Sequence, residues 1–291
     1  MTEVAEEKYN RLVSSLALAG NCLLAYSGGV DSTLLLRALC ESGTGAPEVG
    51  GAARVLAVTA VSASVPPDDL DMARKMTALL GVRHELVHTD ELNDAQYVQN
   101  TPERCFFCKS RLFKTLREIA QKMHYPYIFD GSNADDRGDY RPGLRANVRF
   151  GIRSPLMEAG LTKDEIRLLS HQKGLPTHDR ASSPCLSSRL PYGEPITLRS
   201  LQMVREAEAV IKGLGFTELR VRKQAETARI ELMPQQLQRA LDQPLRQHIV
   251  KALREIGFQY VTLDMEGFSS GKLNRVLSGD LRSELINNDE R

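Results

Sequence analysis

The sequence predicts an α/β fold: a mostly parallel sheet flanked by helices, followed by a smaller C-terminal α+β domain. Three observations carry this. Short β-rich runs alternate with helical stretches through the first 190 residues, the pattern of a sheet covered on both faces. The turn Ser27, Gly28, Gly29, Val30, Asp31, Ser32, Thr33 stands between the apolar run 22–26 and the apolar run Leu34, Leu35, Leu36. From Thr197 onward the pattern changes to helix, two short strands, a long helical stretch and a last strand.

Taken in order, 11–19 reads as a short amphipathic helix after a polar, acidic N-terminus, 22–26 as the first strand and 32–39 as the first crossover helix. The Gly-, Ala- and Thr-rich stretch 41–53 reads as a surface loop, and 55–59 as a second strand. Pro66, Pro67, Asp68 and Asp69 mark a helix start, with helix over 70–80 closed by Gly81. Strands follow at 84–88 and 127–130, with a helix at 111–123 between them. Thr162 and Glu165 have the spacing of a capping box, opening a helix that ends at Gly174. The Ser- and Pro-rich stretch 181–195 reads as an ordered loop or domain junction, which places the boundary between domains 1–190 and 191–291. In the second domain, 201–214 and 235–256 read as helices and 218–222, 228–232 and 260–263 as strands. Ligands of parallel sheets sit beyond the carboxyl ends of the strands, so 27–33, 61–64 and 131–136 are expected to face one crevice.

Composition narrows the class. With 38 basic and 37 acidic side chains and a net charge of +1, the whole-chain field favours no polyanionic partner, and nucleic acid is not expected. The N-terminal stretch lacks the basic and apolar regions of a secretion signal, and no apolar run approaches membrane-spanning length. A cytoplasmic protein with no membrane partner is the expectation. Five cysteines, an odd number, argue against a disulfide framework.

The turn after the first strand carries the chemistry. Gly28 and Gly29 allow close backbone approach, and the helix start presents unpaired N–H groups and the positive end of its dipole to phosphate oxygens. Ser27, Ser32 and Thr33 add hydroxyls, and Asp31 is placed to hold Mg2+ on the same phosphates. Neither the lysine-containing P-loop nor the dinucleotide fingerprint occurs. The string resembles the signature of the PP-loop ATP pyrophosphatases, whose members adenylylate a substrate oxygen and release pyrophosphate. That resemblance implies an adenine nucleotide alpha hydrolase-like PP-loop domain over 1–190, with ATP as cosubstrate. Gly131 is expected to allow close approach to AMP. Asp135, Asp136 and Asp139 near a phosphate site call for either a metal or an arginine as compensation, with Arg137 and Arg141 at hand and Arg137 counted in the nucleotide-binding set, while each acid taken singly reads as a solvated loop charge or salt-bridge partner. Arg149, Arg153 and Arg189 are candidates for bidentate contacts to pyrophosphate or carboxylates, with surface ion pairs as the alternative.

Cys105 and Cys108 form a C-x-x-C, and Cys185 is the third thiol to be explained, Cys22 and Cys40 reading as small buried residues. Three thiolates are one short of a four-cysteine zinc site or iron–sulfur cluster. His171, His178 or Asp179 could complete a zinc site, a redox pair is a second use, and core packing around Phe106 and Phe107 a third. Arg104, Lys109, Arg111 and Arg189 give electropositive surroundings suited to catalytic thiolates.

Asn100, Thr101 and Pro102, the run Asp130–Asp136, Asp139–Leu144, Ser187–Gly193, and Val221, Arg222 with Ala228–Glu231 resemble the LarE family from about residue 10 to 280. The resemblance implies an ATP-dependent sulfurtransferase of nickel-pincer nucleotide cofactor biosynthesis, forming AMP and pyrophosphate. Its substrate would be pyridinium-3,5-dicarboxylate mononucleotide or the monothio form, with sulfur installed as thiocarboxylate. Family members of the single-cysteine type give up their own sulfur. The trio Cys105, Cys108, Cys185 instead matches relatives thought to bind a [4Fe-4S] cluster, so a cluster-dependent, non-sacrificial route is the expectation here. Asp31, Cys105, Cys108 and Cys185 are then the catalytic residues. Ser188, Glu208 and Arg220 match positions that hold the substrate's phosphate in relatives, joined here by Arg189. Sequence alone would make Glu208 a solvent-facing helix residue and Arg220 a strand-end charge. The resemblance further implies that 191–291 binds substrate and supports a homo-oligomer, a hexamer, with an iron–sulfur assembly or sulfide-donor system as partner. The competing readings are an iron–sulfur tRNA thiolase, an amide-forming synthetase and a non-catalytic ATP sensor.

Overall fold

The computed structural model describes residues 2–43, 54–138, 142–181, 183–269 and 271–277. The described residues fall into two compact units, one built from 2–91 and 105–183, the other from 92–104 and 184–277. The loop expected at 41–53 lies largely outside the described residues, as do Asp139 and Arg141.

The first unit holds a four-stranded sheet of β1 (Cys22–Ala25), β2 (Val55–Val61), β3 (Arg83–His88) and β4 (Tyr127–Phe129), ordered β3-β2-β1-β4 and parallel throughout. Alternate residues of each strand serve opposite faces. Cys22, Leu24, Val55, Ala57 and Phe129 join one cluster with the helices Thr2–Ala17, Val30–Glu41 and Lys163–Gln172. Leu23, Leu56, Val58 and Ile128 join the other with Phe113, Leu116 and Ala120 of the helix Arg104–Lys122. Burial on both faces is why these strands are apolar without alternation, and it leaves the carboxyl ends of the strands as the place for a ligand.

Several boundaries shift by a few residues, and three helices depart most from the sequence expectation. The first helix runs Thr2–Ala17, because Ala5, Tyr9, Leu12 and Leu16 form one buried stripe through otherwise polar turns. The helix expected at 111–123 begins at Arg104, so Cys105 and Cys108 lie three apart on its first turns. The helix expected at 235–256 is broken. Leu237–Leu241 and Leu245–Ile256 are separate, with Asp242 extended and Pro244, which has no N–H to donate, between them. The capping box of Thr162 and Glu165 is present as read, and Gly174 follows in a left-handed conformation.

The second unit holds β5 (Arg220–Gln224), β6 (Thr227–Glu231) and β7 (Tyr260–Leu263), β5 antiparallel and β7 parallel to β6. Its core joins Val221, Ala228 and Ile230 to Met203, Ala207 and Ile211 of the helix Leu198–Gly213. Asn100 belongs to this unit. Its side-chain amide donates to the carbonyls of Pro191 (2.7 Å) and Glu194 (3.0 Å), while Arg104 donates to its oxygen at 2.8 Å. The Asn-Thr-Pro string thus straps down the loop after Arg189. No helix among the described residues is long and apolar enough to cross a membrane.

Candidate active site

In the first unit the turn after β1 is a tight glycine turn that runs directly into a helix. Gly28 has φ +71, and a side chain there would come within 2.8 Å of the Ala73 nitrogen. Only glycine fits so tightly against the helix Pro67–Leu79. The helix Val30–Glu41 starts immediately after Gly29, so the N–H groups of Val30, Asp31 and Ser32 have no acceptor within the helix. Gly131, after β4, presses on this start: a Cβ there would lie 3.0 Å from the Ser32 nitrogen. Ser27 and Ser32 share a hydrogen bond at 3.0 Å, and Thr33 meets the Tyr26 hydroxyl at 3.0 Å, with Thr33 fully buried.

A cavity of about 160 Å³ opens over this turn, lined by Ser27, Gly29, Val30, Asp31, Asp69, Lys163, Arg180, Ala181 and Ser183. Two of its cations were missed in the sequence. Lys163 donates to Asp31 Oδ2 at 2.5 Å. Arg180 donates to the Gly28 carbonyl at 3.2 Å, the Asp68 carbonyl at 3.2 Å and Asp69 Oδ1 at 2.7 Å. Asp31 Oδ1 is buried and has no hydrogen-bond partner among the described residues. A carboxylate oxygen in that position calls for a cation or a donor. The site therefore carries two cations, each paired with a carboxylate (Lys163 with Asp31, Arg180 with Asp69), beside a helix N-terminus suited to phosphate and one unsatisfied Asp31 oxygen suited to a cation such as Mg2+.

Of the three segments expected at one crevice, Ser27, Gly29, Val30 and Asp31 of 27–33 line the cavity, Gly131 abuts the helix start at Ser32, and 61–64 and 131–136 are not among the lining residues. Ser62 and Ser64 bond to each other at 3.0 Å, and Ser64 donates to Glu91. The nearby acids organise backbone: Asp136 accepts the Asn133 N–H and Asp135 the Lys163 N–H. Arg137 donates to the Met157 carbonyl and is not among the cavity-lining residues. Arg153 pairs with Glu158, and Arg149 lies over the rings of Phe106 and Phe150. Asp130, at the end of β4, is buried. Burial would raise its pKa, but Lys109 and donors from Ser154, Asn147 and Ser132 outweigh that and hold it below the usual carboxylate range.

In the second unit, Arg189 and Glu208 form a buried pair at 2.9 Å, and Glu208 also accepts the Val221 N–H. Glu208 is 6% exposed, which corrects the solvent-facing reading from sequence: the helix Leu198–Gly213 turns this position toward β5. Arg222 and Glu231 form a second buried pair, and Arg222 donates to the Ser188 carbonyl at 3.0 Å. Ser188 Oγ accepts from Arg189 at 2.9 Å. Arg220, 5% exposed, has no hydrogen bond or ion pair among the described residues and lies over the Phe268 ring. Burial, then the charges of Arg189 and Arg222, push its pKa down to about 10. Arg229 also reaches Glu231 at 3.3 Å and Asp264 at 3.5 Å, so four guanidiniums share three carboxylates and Arg220 is the one of them with no ion pair among the described residues. Arg189 and Arg222 also line a cavity of about 360 Å³ with Arg229, Lys272 and Arg275.

The thiols divide as their surroundings dictate. Burial pushes Cys22 up to about 12 and raises Cys40, which disfavours the thiolate form of both. Cys105 is exposed and Cys108 and Cys185 partly so. Cys105 and Cys108 belong to the first unit and Cys185 to the second. Within either unit no group of three His, Cys, Asp or Glu side chains among the described residues is placed to hold a metal ion, which includes His171, His178 and Asp179.

No protein-family model matches the chain. An uncharacterized protein of Synechocystis sp. is 44% identical over 273 residues, 94% of this chain and 99% of its own length. The pyridinium-3,5-bisthiocarboxylic acid mononucleotide synthase of Lactiplantibacillus plantarum is 34% identical over 267 residues, covering 92% of this chain and 94% of the synthase. The tRNA-specific 2-thiouridylase MnmA of Desulforamulus reducens is 25% identical over 205 residues, covering 58% of this chain and 54% of that enzyme.

Proposed function

Because the chain belongs to the LarE family, that of the L. plantarum synthase, we propose that it is an ATP-dependent sulfurtransferase acting on pyridinium-3,5-dicarboxylate mononucleotide in nickel-pincer cofactor biosynthesis. The observation that carries this reading is the phosphate cavity of the first unit, in a chain related over nearly its whole length to a thiocarboxylate-forming synthase.

In the first half-reaction a substrate carboxylate oxygen attacks the α-phosphorus of ATP, the bond to the bridging oxygen breaks, and pyrophosphate leaves. The carboxylate is already ionised, so no general base is needed. The N–H groups at the start of the helix Val30–Glu41 and the cations Lys163 and Arg180 neutralise the departing pyrophosphate. Asp31 would hold Mg2+, which fits its partnerless buried oxygen and would add positive charge to the same phosphates. In the second half-reaction a sulfur nucleophile attacks the activated carboxyl carbon, and AMP leaves with the original oxygen. Cys105, Cys108 and Cys185 would together hold a [4Fe-4S] cluster, which when bound would supply the sulfur. Support comes from two thiols one helical turn apart and a donor set one short of four. The unpaired Arg220, with Ser188 and the Arg189–Glu208 pair, is suited to the substrate's phosphate.

The test is substrate-dependent pyrophosphate release together with mass-spectrometric detection of thiocarboxylate. A protein that binds ATP but releases no pyrophosphate with the dicarboxylate would overturn the reading. Iron and sulfide analysis after anaerobic purification tests the cluster. A chain lighter by one hydrogen sulfide after turnover would instead assign the sulfur to cysteine.

A further inference from the structure

We propose that His84 is a positioning residue for ATP: protonated on Nε2, it ties together the two walls that hold the glycine turn, an inference that rests on the nucleotide-binding half of the function proposed above. It does not line the cavity. Its ring stands on β3 between two hydroxyls. Nε2 lies 2.8 Å from Thr59 Oγ1 on β2, and Nδ1 lies 3.2 Å from Thr77 Oγ1 on the helix Pro67–Leu79.

A hydroxyl has one proton to give, and that sets the direction of each bond. Thr59 donates to the Tyr26 carbonyl at 2.7 Å, so it must accept from Nε2. In the neutral ring Nδ1 is then an acceptor, and it shares the Thr77 proton with the carbonyls of Ala73 at 2.8 Å and Arg74 at 3.0 Å. Burial, then the charge of Arg74, lowers the His84 pKa, which favours this neutral form.

Both arms end beside the turn. Tyr26 immediately precedes Ser27 and is held at three points: its carbonyl by Thr59, its hydroxyl by Thr33 at 3.0 Å, and its ring edge-on to His84 with centroids 6.1 Å apart. On the other side Thr77 bonds back to Ala73, whose backbone nitrogen and Cα leave no space for a Cβ on Gly28. A threonine bonded to the carbonyl four residues earlier bends its helix, so sharing that proton with His84 affects how the Ala73 backbone sits. His84 thus links the strand end that delivers the turn to the helix that backs it. Parting these walls would loosen Gly28 and spread the N–H groups at the start of the helix Val30–Glu41.

The experiment titrates Mg–ATP into the full-length protein and measures substrate-dependent pyrophosphate release in parallel. His84→Gln keeps a donor toward Thr59 and loses the Thr77 arm, whereas Thr77→Val removes the same arm from its other end. Each should weaken Mg–ATP binding about fivefold, the scale of one lost hydrogen bond, with the ATP KM rising more than kcat falls. Because both changes cut one link, the double variant should bind within about twofold of either single one. In nitrogen NMR spectra of wild type, the histidine signal that His84→Gln removes should be that of an Nε2–H tautomer. Wild-type ATP affinity in both variants overturns the proposal, and a lowered thermal midpoint beside it makes His84 a packing residue. Losses that multiply in the double variant, or an Nδ1–H tautomer, overturn it as well. Should His84→Gln fail to fold, Thr77→Val, which leaves the ring in place, decides by the same affinity. Failure of the underlying functional reading has a different signature: wild type itself binds no Mg–ATP.

Discussion

Replacing Gly28 with alanine tests the architecture of the phosphate loop most directly. The residue has φ +71, and an L-residue in the left-handed region costs about 1–2 kcal/mol. The added Cβ would also lie 2.8 Å from the Ala73 nitrogen, 3.0 Å from its Cα and 3.0 Å from the Asp69 carbonyl oxygen. All three are backbone atoms, so no side chain can swing aside, and overpacking of this kind costs about 1–3 kcal/mol more. The sum is about 2–5 kcal/mol. If the loop holds its place, the cost falls on stability, and at about 2–4 °C per kcal/mol the thermal midpoint drops by about 4–20 °C. If the loop lifts off the helix, it leaves Arg180 behind. The cost then falls on ATP, whose KM rises by about 30-fold or more at about 1.4 kcal/mol per tenfold. Thermal unfolding and ATP-dependent pyrophosphate release separate the two. Gly29→Ala is the control: it meets only the Ser27 hydroxyl at 3.3 Å, and Gly29 has φ −79. It should stay within about 0.5 kcal/mol of wild type. A Gly28→Ala protein with an unchanged midpoint and an ATP KM within twofold would refute the reasoning.

Other perturbations separate the half-reactions. Cys185→Ala should keep AMP and pyrophosphate formation but yield no thiocarboxylate by mass spectrometry; if both steps persist, the sulfur role of Cys185 is wrong. Lys163→Ala should slow pyrophosphate formation about 100-fold, the scale of losing a transition-state charge partner, with the thermal midpoint nearly unchanged. Arg220→Ala should raise the KM for the mononucleotide about 10- to 100-fold with kcat retained, from losing a charge-assisted contact of about 1.5–3 kcal/mol. Asp130 is shifted downward, so its contribution to stability is complete above the unfolded carboxylate range and disappears as pH falls through its folded pKa. Asp130→Asn should therefore be less stable at neutral pH, with the gap closing in acid, as measured by chemical denaturation across pH.

Wherever the determining interactions are local, the chain announces its own structure. Strand, glycine turn and helix around Ser27–Thr33 could be read because turn geometry and helix termini depend on adjacent residues. The same holds for the box of Thr162 with Glu165 and for β7 at Tyr260–Leu263. The start of the first helix was hidden because four buried positions are spread among acidic and polar turns, and only packing against Val30–Glu41 and Lys163–Gln172 makes that stripe a face. The charged partners of the site were out of reach for a different reason. Lys163 lies 132 residues from Asp31, and Arg180 lies 152 from Gly28. Glu208 seemed solvent-facing until β5 and the loop of Arg189 closed over it. The sequence by itself determined where the glycine turn runs into a helix start and which thiols are available. Tertiary structure decided which cations stand over that turn and that Arg220 is left without a carboxylate. Coulombic pairing depends on distance in space, and that distance is set only once the sheet has brought remote segments together.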